Sequence, residues 1–263
     1  MKLSVIIPDW KDPLLIKTIE SLLETSKLGD DMEIIAVIDG YEPQFKLLKD
    51  PRVVYVHKGR NEGMREAINT GVRLARGKFI MRVDEHCMFS DGFDKELVDT
   101  CPSNAIMTAR RYFLDTVKWE RMDKSPVDYE KLKIRDLGNG AHKFEGVVWG
   151  QRARDRKDKK IDKTMAMQGS CWIMRRRWWR KVIKNLDTKH YGTMYQDSHE
   201  MQFKTWKAGG KLMVNKNVWF AHKHVSFPRT HQHSRKDWEP GCKYAYETWK
   251  DYYNEKIKPK WKI

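Results

Sequence analysis

Four short apolar runs in the first hundred residues, three of them stopped by an acid, constrain this chain more than any other feature. Residues 3–7 (Leu-Ser-Val-Ile-Ile) end at Pro8-Asp9, residues 33–38 (Glu-Ile-Ile-Ala-Val-Ile) at Asp39-Gly40, and residues 79–83 at Asp84-Glu85-His86; residues 53–56 form the remaining run. After the first run, Leu15, Ile19, Leu22 and Leu23 recur at helical spacing. Ahead of the last, Ala67, Gly71 and Ala75 share one face of a helix predicted over residues 63–75. Alternating strands and helices imply an α/β fold with a mainly parallel sheet and crossover helices. Such sheets bind ligands beyond the carboxyl ends of their strands, where Asp9, Asp39 and Asp84-Glu85-His86 all fall.

Further along, the pattern loosens. Residues 106–164 contain Gly138-Asn139-Gly140 and a basic run over 152–163, and read as an exposed, partly mobile excursion. Order returns at 167–174, then a helix over 201–208 stopped by Gly209-Gly210, then two short strands near 212–214 and 218–221. This predicts one folded domain over residues 1–225, in two halves (1–100 and 101–225), and a basic, aromatic C-terminal extension over 226–263.

At 263 residues and 40% hydrophobic content, the chain can bury one substantial core. Lys+Arg (52) exceed Asp+Glu (36), a net charge of +16 that favours polyanionic partners: nucleic acid, an acidic membrane surface or phosphate-bearing substrates. No secretory leader pattern or run of 18 apolar residues is visible. The cysteines Cys87, Cys101, Cys171 and Cys242 lack metal-ligand spacing. The expectation is a cytoplasmic protein with reduced thiols and no membrane span; oligomeric state is left open.

Asp84-Glu85-His86 carries the sharpest chemical signal. A carboxylate and an imidazole two residues apart at a strand end can face one divalent cation, which would offset charge building on a departing diphosphate. Oxygen and nitrogen donors together suit Mn²⁺ or a similar ion, with Mg²⁺ as the alternative. Arg60 and Arg65 add guanidinium forks suited to phosphate. Asp197 and Glu200, three apart at a helix start, share one face, and Asp197 is the better candidate general base.

The motifs around these residues resemble family 2 glycosyltransferases of the GT-A type. The run through Pro8 resembles their opening strand, and 37–40 (Val-Ile-Asp-Gly) is similar to the strand end whose acid, here Asp39, receives the base. Asn61-Glu62-Gly63, Ala67, Asn69, Gly71 and Ala75-Arg76-Gly77 resemble the segment leading into their metal strand. Asp84-Glu85-His86-Cys87 resembles the D-S-H-C of polypeptide N-acetylgalactosaminyltransferases. Residues 168–173 resemble their segment along the donor sugar, which includes Gly169, and 197–210 their glycine-ended helix, which places Asp197 and Glu200 on its two glutamates. The resemblance implies a UDP-sugar donor, a metal held by Asp84, His86 and His222, and donor contacts from Pro8, Asp9, Asp39, Asn61, Gly63 and Gly169. It covers residues 3–100 and 165–225, and implies a catalytic domain over 1–225 with a nucleotide-binding half (1–100) and an acceptor-binding half (101–225). Ser198 stands where inverting families carry a basic carboxylate, so retention or inversion is open, with a lean to retention. The segment from His222 through Arg229, His231 and His233 could close over the diphosphate.

Aromatics interleave with the basic residues at Trp178, Trp179, Tyr244, Tyr246, Trp249, Tyr252, Tyr253 and Trp261. Phosphate contacts with ring stacking are how proteins hold unpaired bases. A hydroxylated base in modified viral DNA is therefore one acceptor expectation; a protein, a cell-surface glycan precursor or a lipid-linked acceptor are others. A non-catalytic nucleic-acid-binding protein would leave the strand-end acids unexplained. A nucleotidyltransferase would need a glycine-rich loop where the chain has Pro8-Asp9-Trp10-Lys11-Asp12.

Overall fold

The computed structural model describes residues 1–193, 195–223 and 235–263. Its strands are β1 (Leu3–Asp9), β2 (Met32–Ile38), β3 (Val53–His57), β4 (Phe79–Val83), β5 (Cys87–Phe89), β6 (Ala105–Asp115), β7 (Glu120–Arg121), β8 (Glu130–Gly138), β9 (Ala141–Val148), β10 (Ile161–Lys163), β11 (Cys171–Arg175) and β12 (Lys211–His222). One sheet runs β10-β12-β6-β11-β4-β1-β2-β3, with β5 beside β12 and β7 beside β6; β8 and β9 form a separate hairpin.

Strands β1 to β4 are mutually parallel, as the alternation predicts. β1, β2 and β4 are buried along their whole length, which is why they read as unbroken apolar runs. The helix Leu15–Thr25 covers one face through Leu15, Ile19 and Leu22. The helix Met64–Leu74 covers the other through Ala67, Ile68 and Val72. It packs so closely that a Cβ on Gly71 would lie 2.4 Å from Ile6 Cγ2.

The pairing of β1 with β4 stops at Ile6 opposite Arg82, while β1 and β2 stay paired to Asp9 opposite Ile38. Past Ile6, β1 keeps a partner on one side only, a position that tolerates Pro8 and its missing N–H. The two strands part here, and the crevice between their carboxyl ends is the switch point where such sheets take ligands.

The region 106–164 is more ordered than the sequence suggests. β6 is eleven residues long, and β8 and β9 pair from Glu130 opposite Val148 to Gly138 opposite Ala141. The Gly138-Asn139-Gly140 turn takes positive φ at all three residues. Lysines and arginine on one face of β8 (Lys131, Lys133, Arg135) mask its alternation, and the buried partners are Leu132 and Phe144. The basic run contains the helix Gly150–Asp155 and then β10, with Arg152 and Arg156 bonded to Asp162. The two strands predicted near 212–214 and 218–221 are one, β12. Its register shifts between Asn215 and Trp219, and buried Asn215 bonds Glu96 and Thr100, so the polar stretch is a bulge and not a turn.

The helix Arg235–Tyr252 and the turns after it add Ala245, Trp249, Tyr253 and Ile257 to the cluster that holds Phe144, Phe203 and Trp206. Trp249 stacks on Phe203 at 5.1 Å and donates to Tyr191 Oη at 2.8 Å. Trp178 and Trp179 are buried as well. Among the described residues no helix is long and apolar enough to cross a membrane, and all four cysteines are buried and unbridged. Replacing Trp249 by Ala removes a stacked ring and leaves a hole; we expect a loss of about 3–5 kcal/mol of unfolding free energy in urea denaturation.

Candidate active site

The crevice opens into a cavity of about 430 Å³. β1 brings Pro8 and Asp9 to it, β2 is followed by Asp39, and β4 by Asp84 and Glu85; Asn61, Gly63, Gly169, Ser170, Asp197, Ser198 and His222 also line it.

Asp39 is held by the loop ahead of the helix Met64–Leu74. Its carboxylate accepts from Glu62 N at 3.0 Å and Gly63 N at 2.7 Å, and Asn61 Nδ2 donates to its carbonyl at 3.1 Å. Gly63 has φ of 88°, and a Cβ there would strike Thr193, so glycine is required for the loop to pass. Asp9 accepts from the Tyr41 hydroxyl. Burial, with Glu85 and Asp12 nearby, pushes its carboxyl up to about 8.

Asp84, His86 and His222 converge. His222 Nε2 lies 2.9 Å from Asp84 Oδ2 and 3.0 Å from His86 Nε2, and His86 Nε2 lies 4.0 Å from Asp84 Oδ2. Two ligands at right angles on an ion with bonds of about 2.1 Å sit about 3.0 Å apart. The two shorter spacings fit that value. Asp12 Oδ2 lies 2.8 Å from His86 Nδ1, which fixes the tautomer and turns Nε2 toward the other two groups, as an outer carboxylate does for a metal-bound imidazole. The donor set, one carboxylate and two imidazoles, suits a first-row divalent cation. β12 places His222 because it pairs with Cys87 of β5, directly after His86.

Sequence reasoning missed Arg82. It sits inside β4 and is 2% exposed. Its guanidinium reaches Asp84 Oδ1 at 2.5 Å and donates to the Gly169 carbonyl. A Cβ on Gly169 would lie 2.9 Å from Asp197 Oδ2 and 3.6 Å from Arg82 Nη1, so these three meet. Burial opposes the charge of Asp84, yet Arg82 and the two histidines hold its carboxyl below the usual range. The one available signal was a lone arginine in an otherwise apolar strand. Also missed were Glu130, Phe144, Glu145 and Gly146 of the β8–β9 hairpin, which form a wall of the cavity.

Three expected contacts lie elsewhere. Arg65 is fully buried and bonds Glu200, the Tyr195 carbonyl at 2.9 Å and the Asp187 carbonyl at 3.2 Å. Glu200 is 1% exposed, and Lys204 Nζ lies 2.5 Å from it. Neither lines the cavity: the pair ties the helix Met64–Leu74 to the helix Asp197–Lys207. Arg60 lies at the surface beside Glu62. Of the segment expected to close over the diphosphate, His222 and Lys223 are described; Arg229, His231 and His233 lie outside the described residues.

A parallel half-sheet split at a switch point, with acids on its rim, is the arrangement that GT-A glycosyltransferases share with other nucleotide-binding α/β folds. The Glycosyl transferase family 2 profile matches residues 4–183, more than half of the chain, and the chain belongs to that family. It is similar to polypeptide N-acetylgalactosaminyltransferase 12 of Mus musculus, 24% identical over 97% of this chain and 45% of that protein. An uncharacterized glycosyltransferase of Rickettsia bellii is 35% identical over 34% of this chain and 13% of its own. The chain thus spans less than half the length of either relative. Its fold matches the crystal structure of GalNAc-T7 with UDP, GalNAc and Mn²⁺ at a TM-score of 0.75 and 18% identity, covering 98% of this chain and 50% of that one.

Removing one partner of a buried ion pair strands the other. Arg65→Met or Glu200→Gln should each lower stability by about 3–5 kcal/mol in denaturant titrations, with the affinity of the folded protein for nucleotide changed by less than about threefold. His199 is a second handle. Burial pulls its imidazole from 6.5 down to about 4, so the unfolded chain takes up this proton first as pH falls. Its contribution therefore erodes from pH 6.5 toward 4. His199→Gln should flatten that part of the stability profile relative to the parent, as read by denaturation at stepped pH.

Proposed function

We propose that this protein moves a sugar from a nucleoside diphosphate donor, UDP-linked by resemblance to its relatives, onto an acceptor hydroxyl, with Mn²⁺ or Mg²⁺ held by Asp84, His86 and His222. The observation that carries this reading is the convergence of those three donor atoms at the rim of the split sheet. The cation, when bound, supplies positive charge against the departing diphosphate. The protein's own groups do the rest. Asp39, with both oxygens already ordered by backbone N–H groups, presents a fixed acceptor to the base. Asp9 flanks it from β1. Arg82 orders Asp84 and lies beside Asp197 and Gly169, where its charge serves the donor sugar and its phosphate link. Asp197 is the one carboxylate of its helix start that reaches the cavity, so it, and not Glu200, is the candidate for accepting the acceptor's proton or orienting the sugar.

The nucleic-acid acceptor rested on charge and on rings free to stack. Of the eight rings, Trp178, Trp179, Trp249 and Tyr253 are spent in the core, and Tyr244, Tyr252 and Trp261 pack half-buried against it; net charge is then the main support, and charge directs association and not chemistry. We therefore carry forward an acceptor hydroxyl outside DNA, and a catalytic over a purely binding role.

Purified protein with a panel of nucleoside diphosphate sugars should release nucleotide only when Mn²⁺ or Mg²⁺ is present, and a chelator should stop it. Asp84→Asn and His222→Ala should each cut turnover at least about a hundredfold. Asp12→Asn, acting through His86, should weaken cation affinity about 10–100-fold while sparing the fold, as read by cation titration. Turnover untouched by chelator or by these substitutions would overthrow the proposal.

A further inference from the structure

The cavity has a second wall that the donor reading leaves unused. It is built from the β8–β9 hairpin and from Tyr195 and Gln196, just ahead of the helix Asp197–Lys207. Among the described residues, two buried oxygens on it have no hydrogen-bond partner: Glu130 Oε2 and Gln196 Oε1. Both side chains are fixed by their other end. Glu130 Oε1 accepts from Arg111 at 3.1 Å, and Gln196 Nε2 donates to the Phe144 carbonyl at 3.0 Å. The residues are 4% and 6% exposed. Leaving such oxygens unmet costs about 1–3 kcal/mol each, so their placement calls for a donor that arrives with a ligand.

Three more features converge here. Gly146 faces Glu130, and a Cβ there would lie 3.1 Å from Oε2; any larger residue would press on that oxygen. Tyr195 and Gln196 are consecutive non-glycine residues at φ of 64° and 55°, a strained conformation that clusters at ligand sites. The Tyr195 ring stays 43% exposed at the mouth, while Phe144 and Met167 give the wall an apolar floor.

Resting on the transferase reading above, we infer that the hairpin wall is the acceptor subsite and that it takes an uncharged, hydroxyl-rich glycan. A sugar ring brings several O–H donors on its edge and a C–H face for Tyr195. A phosphodiester brings only acceptor oxygens, and would set them against the Glu130 carboxylate. The transfer balances simply. The acceptor oxygen bonds to the anomeric carbon and gives its proton to the Asp197 carboxylate; the bond from that carbon to the diphosphate oxygen breaks, and the nucleoside diphosphate leaves with the electron pair.

The experiment has two arms. Nucleotide release is first measured with UDP-, GDP- and dTDP-sugars and Mn²⁺. Release is then repeated with methyl glycosides of glucose, galactose and mannose and their disaccharides, with a Ser/Thr peptide, and with a hydroxymethylcytosine oligonucleotide. We expect a glycoside to speed release at least about fivefold. We expect Gly146→Ala, which crowds Glu130 Oε2, to raise the KM for that glycoside about tenfold, the equivalent of one good hydrogen bond, with kcat within about twofold. Thermal stabilisation by UDP and Mn²⁺ should be retained by the variant, showing that it is folded. Acceleration by peptide or oligonucleotide alone, by no probe at all, or an unchanged glycoside KM in Gly146→Ala overturns the glycan subsite and leaves the transferase standing. No release with any donor brings down the transferase reading and this one with it.

Discussion

A guanidinium out of reach of water is stable only where carboxylates and carbonyls surround it, and Arg82 is such a group. Its position follows from the backbone: it lies opposite Ile6, the last register pair between β1 and β4. The same residue that ends the ladder supplies the charge at the crevice the ending creates. Through Asp84 it reaches the two histidines, and through Gly169 and Asp197 it reaches the next strand and the helix start. The three converging side chains and the Asp197 carboxylate are thus linked through one side chain.

Around that centre the charge distribution is divided. The chain carries +16 overall, yet Asp9, Asp39, Asp84, Glu85 and Asp197 all face one cavity. Crowded acids in a buried place hold protons more tightly, which is what lifts Asp9. Clustering them is unfavourable for folding alone and sensible for a site that receives a cation. The exterior lysines answer a different demand. Charge on the outside raises solubility and draws anions, such as a nucleoside diphosphate, toward the molecule over a Debye length of about 8 Å.

The donor half was legible because burial on both faces writes itself as apolar runs, and because the acids that stop those runs mark the ligand-binding edge. Less could be read where a residue's surroundings come from distant chain. Arg65 and Glu200 have the composition of site residues, but they are 135 positions apart and find each other. Asn69, part of a recognisable motif, bonds Leu186 in both directions and is structural. The β8–β9 hairpin went unseen since one face carries lysines and arginine and the other packs on rings from the C-terminal helix, with Tyr253 donating to the Leu132 carbonyl at 2.8 Å. Those rings, read with their charged neighbours, resembled a binding surface; alternation of charge and ring along a helix describes a helix with one face buried equally well.

Family membership rests on residues 4–183, and the site extends beyond them. Gln196, Asp197 and His222 all lie later, carried by a helix and a strand that return to the crevice from the far side of the sheet. The first part of the chain supplies the strand-end acids and two of the three converging side chains; the later part supplies the third and part of the cavity wall. The hairpin between these parts is held on its outer side by the C-terminal helix and faces the cavity on its inner side. Its two roles are therefore linked physically. Loosening the tail would move Leu132 and Phe144, and with Phe144 the carbonyl that anchors Gln196. The helix Arg235–Tyr252, which does not line the cavity, then bears on how well the proposed acceptor wall is formed, which gives its rings a role inside the protein.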